Sequence, residues 1–357
     1  MNQVQKKMGL YLLFLLIGIL LIPTLLSFAR VEETKRDEEN AKETGFSTNV
    51  LVYLYNKKQV IKIPLEKYVQ GVVAAEMPAN FHMEALKSQS LIARTYIVNR
   101  LIQDHLPDMD KWGEAAKHAD VTDTVYHQAY LTDEQLRVKW GEHYKKNLDK
   151  INQAVKETAG QIITFQGKPI YAAFFSTSNG KTENSEEYFS KSYPYLRSVD
   201  SSWDRFSPKY MSQKVVARSD FIKQLGKMLN KSIAITTFSQ EQIRVLGKTS
   251  GKRIAKLQIG NQTFTGREIR EAFQLASSDF TLKMDRNRII FTVYGYGHGV
   301  GLSQWGANIM AQRGKKMEEI ILHYYQGVHI SNTDNWKIAL LVINRKQVNI
   351  SQILVRF

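Results

Sequence analysis

The pattern of apolar and polar positions divides the chain into an uncharged start, a charged stretch and a long mixed remainder. Residues 8–29 carry no charge and are rich in Leu and Ile. These 22 residues are enough to cross a bilayer, whose hydrocarbon core needs about 20. Residues 30–46 are almost all charged or polar and cannot bury a core. The pattern therefore predicts a transmembrane anchor over residues 8–29 and a flexible charged stalk over residues 30–48.

The charges beside the apolar run predict its orientation. Lys6 and Lys7 precede it, and the positive-inside rule then leaves residues 1–7 in the cytoplasm and residues 49–357 outside. The alternative is a cleaved signal peptide, because Ser27 and Ala29 are small residues at a plausible cleavage spacing. The run is longer than the usual 7–15 residues of a signal peptide, so we predict a retained anchor.

The first part of the folded region has clear signals for a hairpin and two helices. Residues 51–63 alternate apolar and polar side chains around an Asn-Lys-Lys turn, as a β-hairpin does. Pro64 suits the first turn of a helix. Pro78 predicts its end, because the residue before a proline is pushed out of the helical region. A second helix is predicted over residues 82–100.

The rest of the chain mixes short helical and extended patterns without repeats. Residues 104–150 are polar and partly helical. Further elements are predicted as strands with loops over 159–195, a helix over 215–229, strands over 254–259 and 288–294, two helices separated by Gly314, and a last strand over 338–343. The sequence therefore predicts one extracytoplasmic α+β domain over residues 49–357.

Composition narrows the classes of partner and chemistry. The net charge is +15 and the isoelectric point about 9.6, which favours a polyanionic partner such as an anionic membrane face or a bacterial wall. The basic residues are spread along the chain, with no dense basic helix, so we predict no nucleic acid binding. The absence of cysteine excludes disulfides, a thiol nucleophile and a cysteine-based zinc site.

The first cluster with candidate chemistry, residues 71–100, contains a glutamate at a predicted helix end. Glu76 lies at the C-terminal end of its helix, where the helix dipole disfavours a carboxylate, and its neighbours are mostly apolar. Both effects raise a carboxyl pKa, as a general acid at neutral pH requires. The alternative is a solvated glutamate at a helix end.

The second helix carries two cations on one face. Arg94 follows Lys87 by seven residues, so both point the same way. One interpretation is a surface pair. The other is that Arg94 is a buried cation beside Glu76 or the substrate, where it positions substrate or a loop.

The second cluster, residues 172–189, is an apolar strand followed by small polar residues. The hydroxyl and amide groups of Ser176, Ser178 and Asn179 suit hydrogen bonds to a sugar, although an ordinary turn explains the same residues. Ser178 and Lys181 also match the S-x-x-K acylating motif. That motif requires a helix, whereas Gly180 favours a turn, and no S-D-N follows, so we do not predict an acyl-enzyme.

The third cluster, residues 295–314, has four glycines that alternate with Tyr296, His298 and Val300. Glycine lets a backbone approach a ligand closely, but the spacing matches neither nucleotide-binding motif. His298 either contacts a ligand or is structural, and Gln304 lies near the start of the next helix.

The sequence offers one loose group of metal-ligand residue types. It consists of His118, Asp120, Asp123 and His127, whose spacing fits no standard site. We therefore predict no metal and no cofactor.

Taken in order, the three clusters resemble the sporulation protein D family. The runs VVAAEMP and ALKSQSLIARTY resemble its amino-terminal signature, FFSTSNGKTENSEEYF and YPYLRSVDSSWD its middle segment, and YGYGHGVGLSQWGANIMAQRG its carboxy-terminal signature. The resemblance covers roughly residues 50–335.

The resemblance implies an activity and a setting. It implies a lytic transglycosylase that cleaves peptidoglycan glycan strands, preferably peptide-free, and that acts with stage II sporulation proteins P, an amidase, and M, a membrane scaffold. That assembly thins the septal wall and drives engulfment of the forespore, which implies a single-pass protein of the mother-cell engulfing membrane facing the intermembrane space. Glu76 matches the catalytic glutamate. The substrate-binding candidates match other recurrent residues of the family motifs: Lys87, Arg94, Ser176, Ser178, Asn179, Tyr188, His298 and Gln304.

The mechanism implied needs only one carboxylate. Glycoside hydrolases usually pair two, and no obvious partner accompanies Glu76, because Glu84 lies beyond a proline break. The rival hypothesis is a non-catalytic wall-binding scaffold. A scaffold accounts for the anchor, the stalk and the positive charge, but it gives no reason for a glutamate at a helix end beside apolar residues.

Overall fold

The computed structural model describes residues 48–103, 105–229 and 239–333. The predicted anchor over residues 8–29, nearly all of the stalk and the predicted strand over residues 338–343 lie outside these ranges. Within them, no helix is both long enough and apolar enough to cross a bilayer. The compact unit described below begins at Asn49.

The described residues confirm the α+β class, with helices and short sheets interleaved along the chain. The strands are β1 Asn49–Leu54, β2 Gln59–Pro64, β3 Val121–Thr122, β4 Gln161–Phe165, β5 Lys168–Pro169, β6 Phe174–Phe175, β7 Met211–Ala217, β8 Ile243–Lys248, β9 Ile254–Ile259, β10 Gln262–Thr265, β11 Phe280–Asp285, β12 Arg288–Tyr294, β13 Leu302–Ser303 and β14 His329–Asn332. The α-helices are α1 Leu65–Glu76, α2 Met83–Leu101, α3 Asp133–Trp140, α4 Tyr144–Glu157, α5 Glu186–Phe189, α6 Arg218–Met228, α7 Gly266–Ala272, α8 Gln304–Gln312 and α9 Met317–Tyr324.

The predicted hairpin and the first helix form as expected. β1 and β2 pair antiparallel, and β3 adds to the other edge of β1 in parallel. Pro64 is the N-cap of α1. The helix ends at Glu76, and the extended backbone of Met77 carries the chain towards Pro78.

Helix α2 is the centre of the first core. Its buried residues lie all around the helix, so it is surrounded by protein rather than amphipathic. Helices α1, α4, α8 and α9 and strand β4 pack against it. Two of its buried hydroxyl groups, those of Ser90 and Thr95, donate to carbonyls one turn earlier. This arrangement places the end of α1 between α2 and the later helices.

A second core lies between α6, α7 and two three-stranded sheets, β10-β9-β8 and β11-β12-β7. The rings of Phe221, Phe273 and Phe291 meet at its centre. The predicted helix over residues 215–229 starts too early, because residues up to Ala217 pair with β12 as a strand. The strands β3, β7, β8, β10, β11, β13 and β14 were not predicted.

Two short parallel strands bring the second and third sequence clusters together. β6 pairs with β13, and isolated bridges join Thr177 to Tyr296 and Glu183 to Val300. The glycines make this contact possible. Gly301 has a φ of +77°, and a Cβ there would lie 2.0 Å from the carbonyl oxygen of Ala173, so only glycine fits.

Candidate active site

Glu76 is the last residue of α1. The last four carbonyl groups of a helix lack partners among its regular hydrogen bonds, and in α1 each of them accepts a hydrogen bond. The Val73 oxygen accepts from Met77 N–H over 3.0 Å. Lys139 Nζ donates to the carbonyl oxygens of Ala74 and Ala75 over 2.9 and 3.4 Å. Gln304 Nε2 donates to the carbonyl oxygen of Glu76 over 3.2 Å. The backbone of Glu76 is therefore held by groups from α3 and α8.

The carboxyl group of Glu76 is partly buried and has one oxygen bound. The N–H of Ala129 donates to Oε1 over 2.7 Å. Oε2 forms no hydrogen bond with any residue in the described ranges. Burial raises the pKa of the Glu76 carboxyl above its ordinary value, while the Ala129 N–H and the charge of Lys139 act in the opposite direction. The net shift favours a carboxylic acid whose free oxygen can donate a proton.

A glycine lets the loop that carries Ala129 lie against α1. A Cβ at Gly71 would lie 2.3 Å from the Tyr130 ring and 2.8 Å from the Leu131 carbonyl oxygen. The Tyr130 ring also stacks on Tyr68 of α1, with the ring centroids 5.7 Å apart. Gly71 thus has a packing role, which explains a glycine in the middle of a helix.

The start of α8 contacts both Glu76 and the second sequence cluster. Gln304 Nε2 also lies 3.3 Å from Gln89 Oε1, so its amide links α8 to α2 as well as to Glu76. The next residue, Trp305, donates its N–H to the Ser176 carbonyl oxygen over 3.0 Å. Its ring meets the edge of Phe81, with centroids 4.8 Å apart. The Trp305 indole therefore packs on the segment that follows Glu76, while its backbone binds the second cluster.

Lys87 lies in an ion cluster between α2 and α4. It pairs with Glu84 over 3.0 Å and with Glu157, and these carboxylates raise the Lys87 pKa against the effect of burial. Glu84 also accepts the N–H of Met317 at the start of α9. Substrate binding by Lys87 stays a prediction, and its ammonium group already has two carboxylate partners.

Arg94 is fully buried at the N-terminal end of α1 rather than beside Glu76. Its side chain is 0% exposed, and its guanidinium binds both carboxylate oxygens of Glu66, over 2.8 and 2.6 Å. It also donates to the Gln161 carbonyl oxygen over 3.1 Å. Glu66 precedes Glu76 by ten residues, or about 15 Å along a helix. These contacts favour the interpretation that Arg94 ties α1, α2 and β4 together, and substrate binding by Arg94 stays an untested prediction.

Ser178 and Asn179 are held by two acidic residues. Asp204 is 0% exposed and accepts hydrogen bonds from the Ser178 N–H and the Ser303 hydroxyl, over 2.8 and 2.5 Å, so it joins the second and third clusters. The Asn179 side-chain amide donates to Asp279 over 2.7 Å. The Ser178 hydroxyl donates to the Lys181 carbonyl oxygen over 2.9 Å in a bend rather than a helix, which gives the S-x-x-K interpretation no support.

Tyr188 and His298 lie together in the wall of a cavity of about 380 Å³. Their ring centroids are 5.1 Å apart, and the guanidinium of Arg267 lies 4.5 Å above the Tyr188 ring. Glu183 and Arg253 form a buried ion pair in the same wall, each side chain being 2% exposed. Burial raises the Glu183 pKa to about 7 despite Arg253. The volume of this cavity lies within the usual range of small-molecule sites.

The imidazole of His298 is held neutral. Burial, together with the charges of Arg270 and Arg253, lowers its pKa to about 3. Nδ1 accepts the Val300 N–H over 3.0 Å, and the ring also hydrogen-bonds to the Phe174 backbone. Both nitrogens are therefore engaged by the backbone, which favours the structural interpretation of this histidine.

Three of the four residues in the loose group of possible metal ligands bind other groups of the protein. His127 bonds to Asp108 over 2.8 Å and to Thr122 over 2.9 Å. Asp120 accepts the Leu51 N–H, and Asp123 accepts the Tyr55 N–H. Across residues 48–103, 105–229 and 239–333, no three potential ligands of this kind lie close enough together to hold a metal ion.

The structure thus divides the predicted site residues among several places. Gln304 hydrogen-bonds to the backbone of Glu76, and the Ser176 carbonyl binds the Trp305 N–H. Tyr188 and His298 share the cavity. Ser178 and Asn179 bind Asp204 and Asp279, and Lys87 and Arg94 form ion pairs away from Glu76. The sequence reasoning missed Ala129, Lys139 and Asp204. Asp204 lies in the quoted YPYLRSVDSSWD run, whereas Lys139 and Ala129 carry no local signal.

Comparison with known proteins adds a family assignment. A family model described as "SpoIID: Stage II sporulation protein" matches residues 54–165, a range that contains Glu76, Ala129 and Lys139. The chain is 41% identical over 347 residues to stage II sporulation protein D of Bacillus subtilis (strain 168), covering 92% of this chain and 97% of that protein. It is 42% identical over 306 residues to stage II sporulation protein D of Bacillus amyloliquefaciens, covering 86% and 85%. It is 26% identical over 313 residues to the amidase enhancer of Bacillus subtilis (strain 168), covering 74% of this chain and 40% of that protein.

Proposed function

Because this chain belongs to the stage II sporulation protein D family, we propose that it is a lytic transglycosylase that cleaves peptidoglycan glycan strands during sporulation. The bond cleaved joins N-acetylmuramic acid to N-acetylglucosamine, preferably in strands without stem peptides. The product is a 1,6-anhydro end.

The observation that carries this proposal is the state of the Glu76 carboxyl group. Oε1 is fixed by Ala129, Oε2 has no partner among the described residues, and burial raises the pKa. A general acid needs a defined orientation and a proton at neutral pH. The Ala129 N–H fixes the orientation of the carboxyl group, and burial favours its protonated form.

Glu76 would act twice in the reaction. As an acid it protonates the glycosidic oxygen, and the C–O bond to the muramic acid breaks with formation of an oxocarbenium-like state. The 6-hydroxyl of the same sugar then attacks the anomeric carbon. Glu76, now a carboxylate, takes the proton of that hydroxyl and returns to its starting state. No water is consumed.

The surroundings of Glu76 support a mechanism with one carboxylate. Within the described part of the chain, no hydrogen bond or salt bridge joins Glu76 to another acidic residue. Glu84, the nearest acidic residue that follows it in sequence, is bound to Lys87 and to the Met317 N–H. An inverting or retaining hydrolase needs a second carboxylate across the scissile bond.

The setting that we propose follows the family. The uncharged run over residues 8–29 would anchor the protein in the mother-cell engulfing membrane, with residues 1–7 in the cytoplasm and the catalytic unit in the intermembrane space. Stage II sporulation proteins P and M would be its partners in thinning the septal wall during engulfment.

The test is cleavage of purified glycan strands by the full-length protein and by Glu76→Gln. The glutamine keeps the shape and the Ala129 contact but carries no transferable proton. We expect cleavage to fall about 10²–10⁴-fold, the usual contribution of a positioned acid–base group, with strand binding and the melting temperature nearly unchanged. Glu142→Gln, which changes an exposed glutamate of the turn between α3 and α4, is the control and should keep full activity.

Activity of Glu76→Gln above about a tenth of the unmodified level would assign the acid to another residue. If the unmodified protein binds strands but does not cleave them, the wall-binding scaffold hypothesis replaces the enzyme.

A further inference from the structure

A buried histidine anchors the loop that carries Ala129. His127 precedes Ala129 by two residues, and its side chain is 1% exposed. Its Nε2 lies 2.8 Å from Asp108 Oδ2. Its Nδ1 lies 2.9 Å from the hydroxyl oxygen of Thr122 and accepts the N–H of the same residue over 3.2 Å. The imidazole therefore joins the loop to the 3₁₀ helix Pro107–Trp112 on one side and to β3 on the other.

Asp108 is in turn held by the end of α2. The guanidinium of Arg100 donates to both carboxylate oxygens of Asp108, over 3.0 and 3.2 Å. Its Nε donates to the Asp120 carbonyl oxygen over 2.7 Å. A bidentate pair of this kind fixes the orientation of a carboxylate as well as its position. A chain of hydrogen bonds thus runs from α2 through Asp108 to His127.

The protonation states of this chain are defined. Burial, together with the charge of Arg100, lowers the pKa of His127 to about 4, so the ring is neutral at neutral pH. Burial raises the pKa of Asp108, but the hydrogen bonds from Arg100 and His127 outweigh it and hold the pKa below its ordinary value. A carboxylate can only accept hydrogen bonds. Nε2 of the imidazole therefore carries the proton, and Nδ1 accepts from Thr122.

The residues that follow His127 in the loop bind α1. The Ala129 N–H donates to Oε1 of Glu76 over 2.7 Å, and the Leu131 N–H donates to the Gly71 carbonyl oxygen over 3.4 Å. One residue spans at most about 3.6 Å of chain. A displacement of the His127 backbone is therefore passed on to the Ala129 N–H.

We propose that His127 and Asp108 are positioning residues for the proposed acid. By fixing the loop, they hold the Ala129 N–H against Oε1 of Glu76 and leave Oε2 in the orientation that delivers the proton. This inference rests on the proposed function. It gives His127, one of the possible metal ligands in the sequence, a role through hydrogen bonds.

The experiment combines kinetics with a direct probe of the positioned group. Full-length His127→Ala and Asp108→Asn are compared with the unmodified protein for kcat and KM on glycan strands and for melting temperature. His118→Ala, an exposed histidine of the same loose group, is the matched control. Phe221→Leu, in the second core, is the control for loss of stability alone. The amide signal of Ala129 is followed over pH by NMR of ¹⁵N-alanine-labelled protein without substrate, and it is assigned by its absence from Ala129→Gly.

We expect kcat per folded molecule to fall by up to about 10²-fold in His127→Ala, which is what a misplacement of about 1 Å can cost, with little change in KM. Asp108→Asn should show a smaller loss in the same direction. Because Asp108 is partly exposed, that variant keeps the test open if His127→Ala does not fold.

The NMR signal should follow the same order. In the unmodified protein the Ala129 amide signal should shift as Glu76 ionises, since its N–H is bonded to that carboxyl group. The shift should shrink in both network variants. His118→Ala should match the unmodified protein, and Phe221→Leu should melt at a lower temperature with unchanged kcat and an unchanged shift.

A lowered melting temperature with unchanged kcat and an unchanged Ala129 shift in both network variants would overturn the inference, because the network would then only stabilise the loop. A rise in KM at constant kcat would also overturn it, since the loop would then bind the strand. If the unmodified protein cleaves no strand, the proposed function fails. The Ala129 shift still decides whether His127 and Asp108 hold the carboxyl group, and an undiminished shift in their variants overturns the inference.

Discussion

The backbone N–H of Ala129 donates a hydrogen bond of 2.7 Å to Oε1 of Glu76. This contact joins the loop after β3 to the end of α1, two segments far apart in sequence. It leaves Oε2 as the carboxyl oxygen that can carry the reactive proton. The geometry of the proposed acid therefore depends on how well the loop packs against α1.

Gly71→Ala tests that dependence. In a helix interior this change normally stabilises a protein, by up to about 1 kcal/mol. Here the new Cβ would lie 2.3 Å from the Tyr130 ring, so the loop must move and take Ala129 with it. We expect a loss of about 1–3 kcal/mol in the free energy of unfolding, as for overpacked cores, and a fall in turnover per folded molecule.

Denaturant unfolding and turnover, each corrected for the folded fraction, make this measurement. A Gly71→Ala protein that is more stable than the unmodified one and equally active would mean that the loop does not position Glu76.

Arg94→Lys tests the structural interpretation of the buried arginine. Lysine keeps the charge but cannot bind both oxygens of Glu66, and it leaves the Gln161 carbonyl without its partner. We expect a loss of about 3 kcal/mol or more, as when a buried ion pair is broken. Turnover per folded molecule should stay near that of the unmodified protein.

The exposed Arg244, whose side chain donates to the Glu241 carbonyl oxygen, is the matched control, and Arg244→Lys should melt normally. A normal melting temperature for Arg94→Lys together with a large increase in KM would instead support substrate binding by Arg94.

His298→Ala separates a structural histidine from one that contacts the sugar. The neutral ring bonds to two backbone segments, so its loss should lower stability by about 0.5–3 kcal/mol. Turnover per folded molecule should change little. A normal melting temperature with strongly reduced turnover would return His298 to the ligand-binding residues.

The pH dependence of kcat/KM shows whether Glu76 or His298 is the group whose titration controls activity. The Glu76 pKa is raised and the acid must be protonated, so activity should be present below that pKa and fall as pH rises through it. His298, with a pKa of about 3, is neutral over the range of about pH 5 to 8 where histidine usually titrates. We expect the fall of kcat/KM at alkaline pH to persist in His298→Ala. Its disappearance in that variant would contradict the assignment of this fall to Glu76.

Local signals were sufficient for the elements that carry Glu76. Pro64, Pro78 and the apolar face between them predict α1 and the position of Glu76 at its end, because helix ends are set by neighbouring residues. The strand over residues 211–217 was read partly as helix because its pairing with β12 comes from a segment more than 70 residues later.

Local sequence signals could not predict the residues that contact Glu76. Lys139 and Ala129 meet Glu76 only through tertiary packing, and nothing near them in sequence marks them. Arg94 was recognised as a possible buried cation, but its partner Glu66 lies 28 residues away, and pattern alone could not decide between Glu66, Glu76 and substrate.

The most direct test of the central claim is the identity of the ends that the full-length protein makes from glycan strands in ¹⁸O-labelled water. Attack by the sugar's own 6-hydroxyl predicts new ends that carry no label and weigh one water less than a reducing sugar, with none formed by Glu76→Gln. New reducing ends that contain ¹⁸O would contradict the account, since they would require hydrolysis and a second carboxylate opposite Glu76.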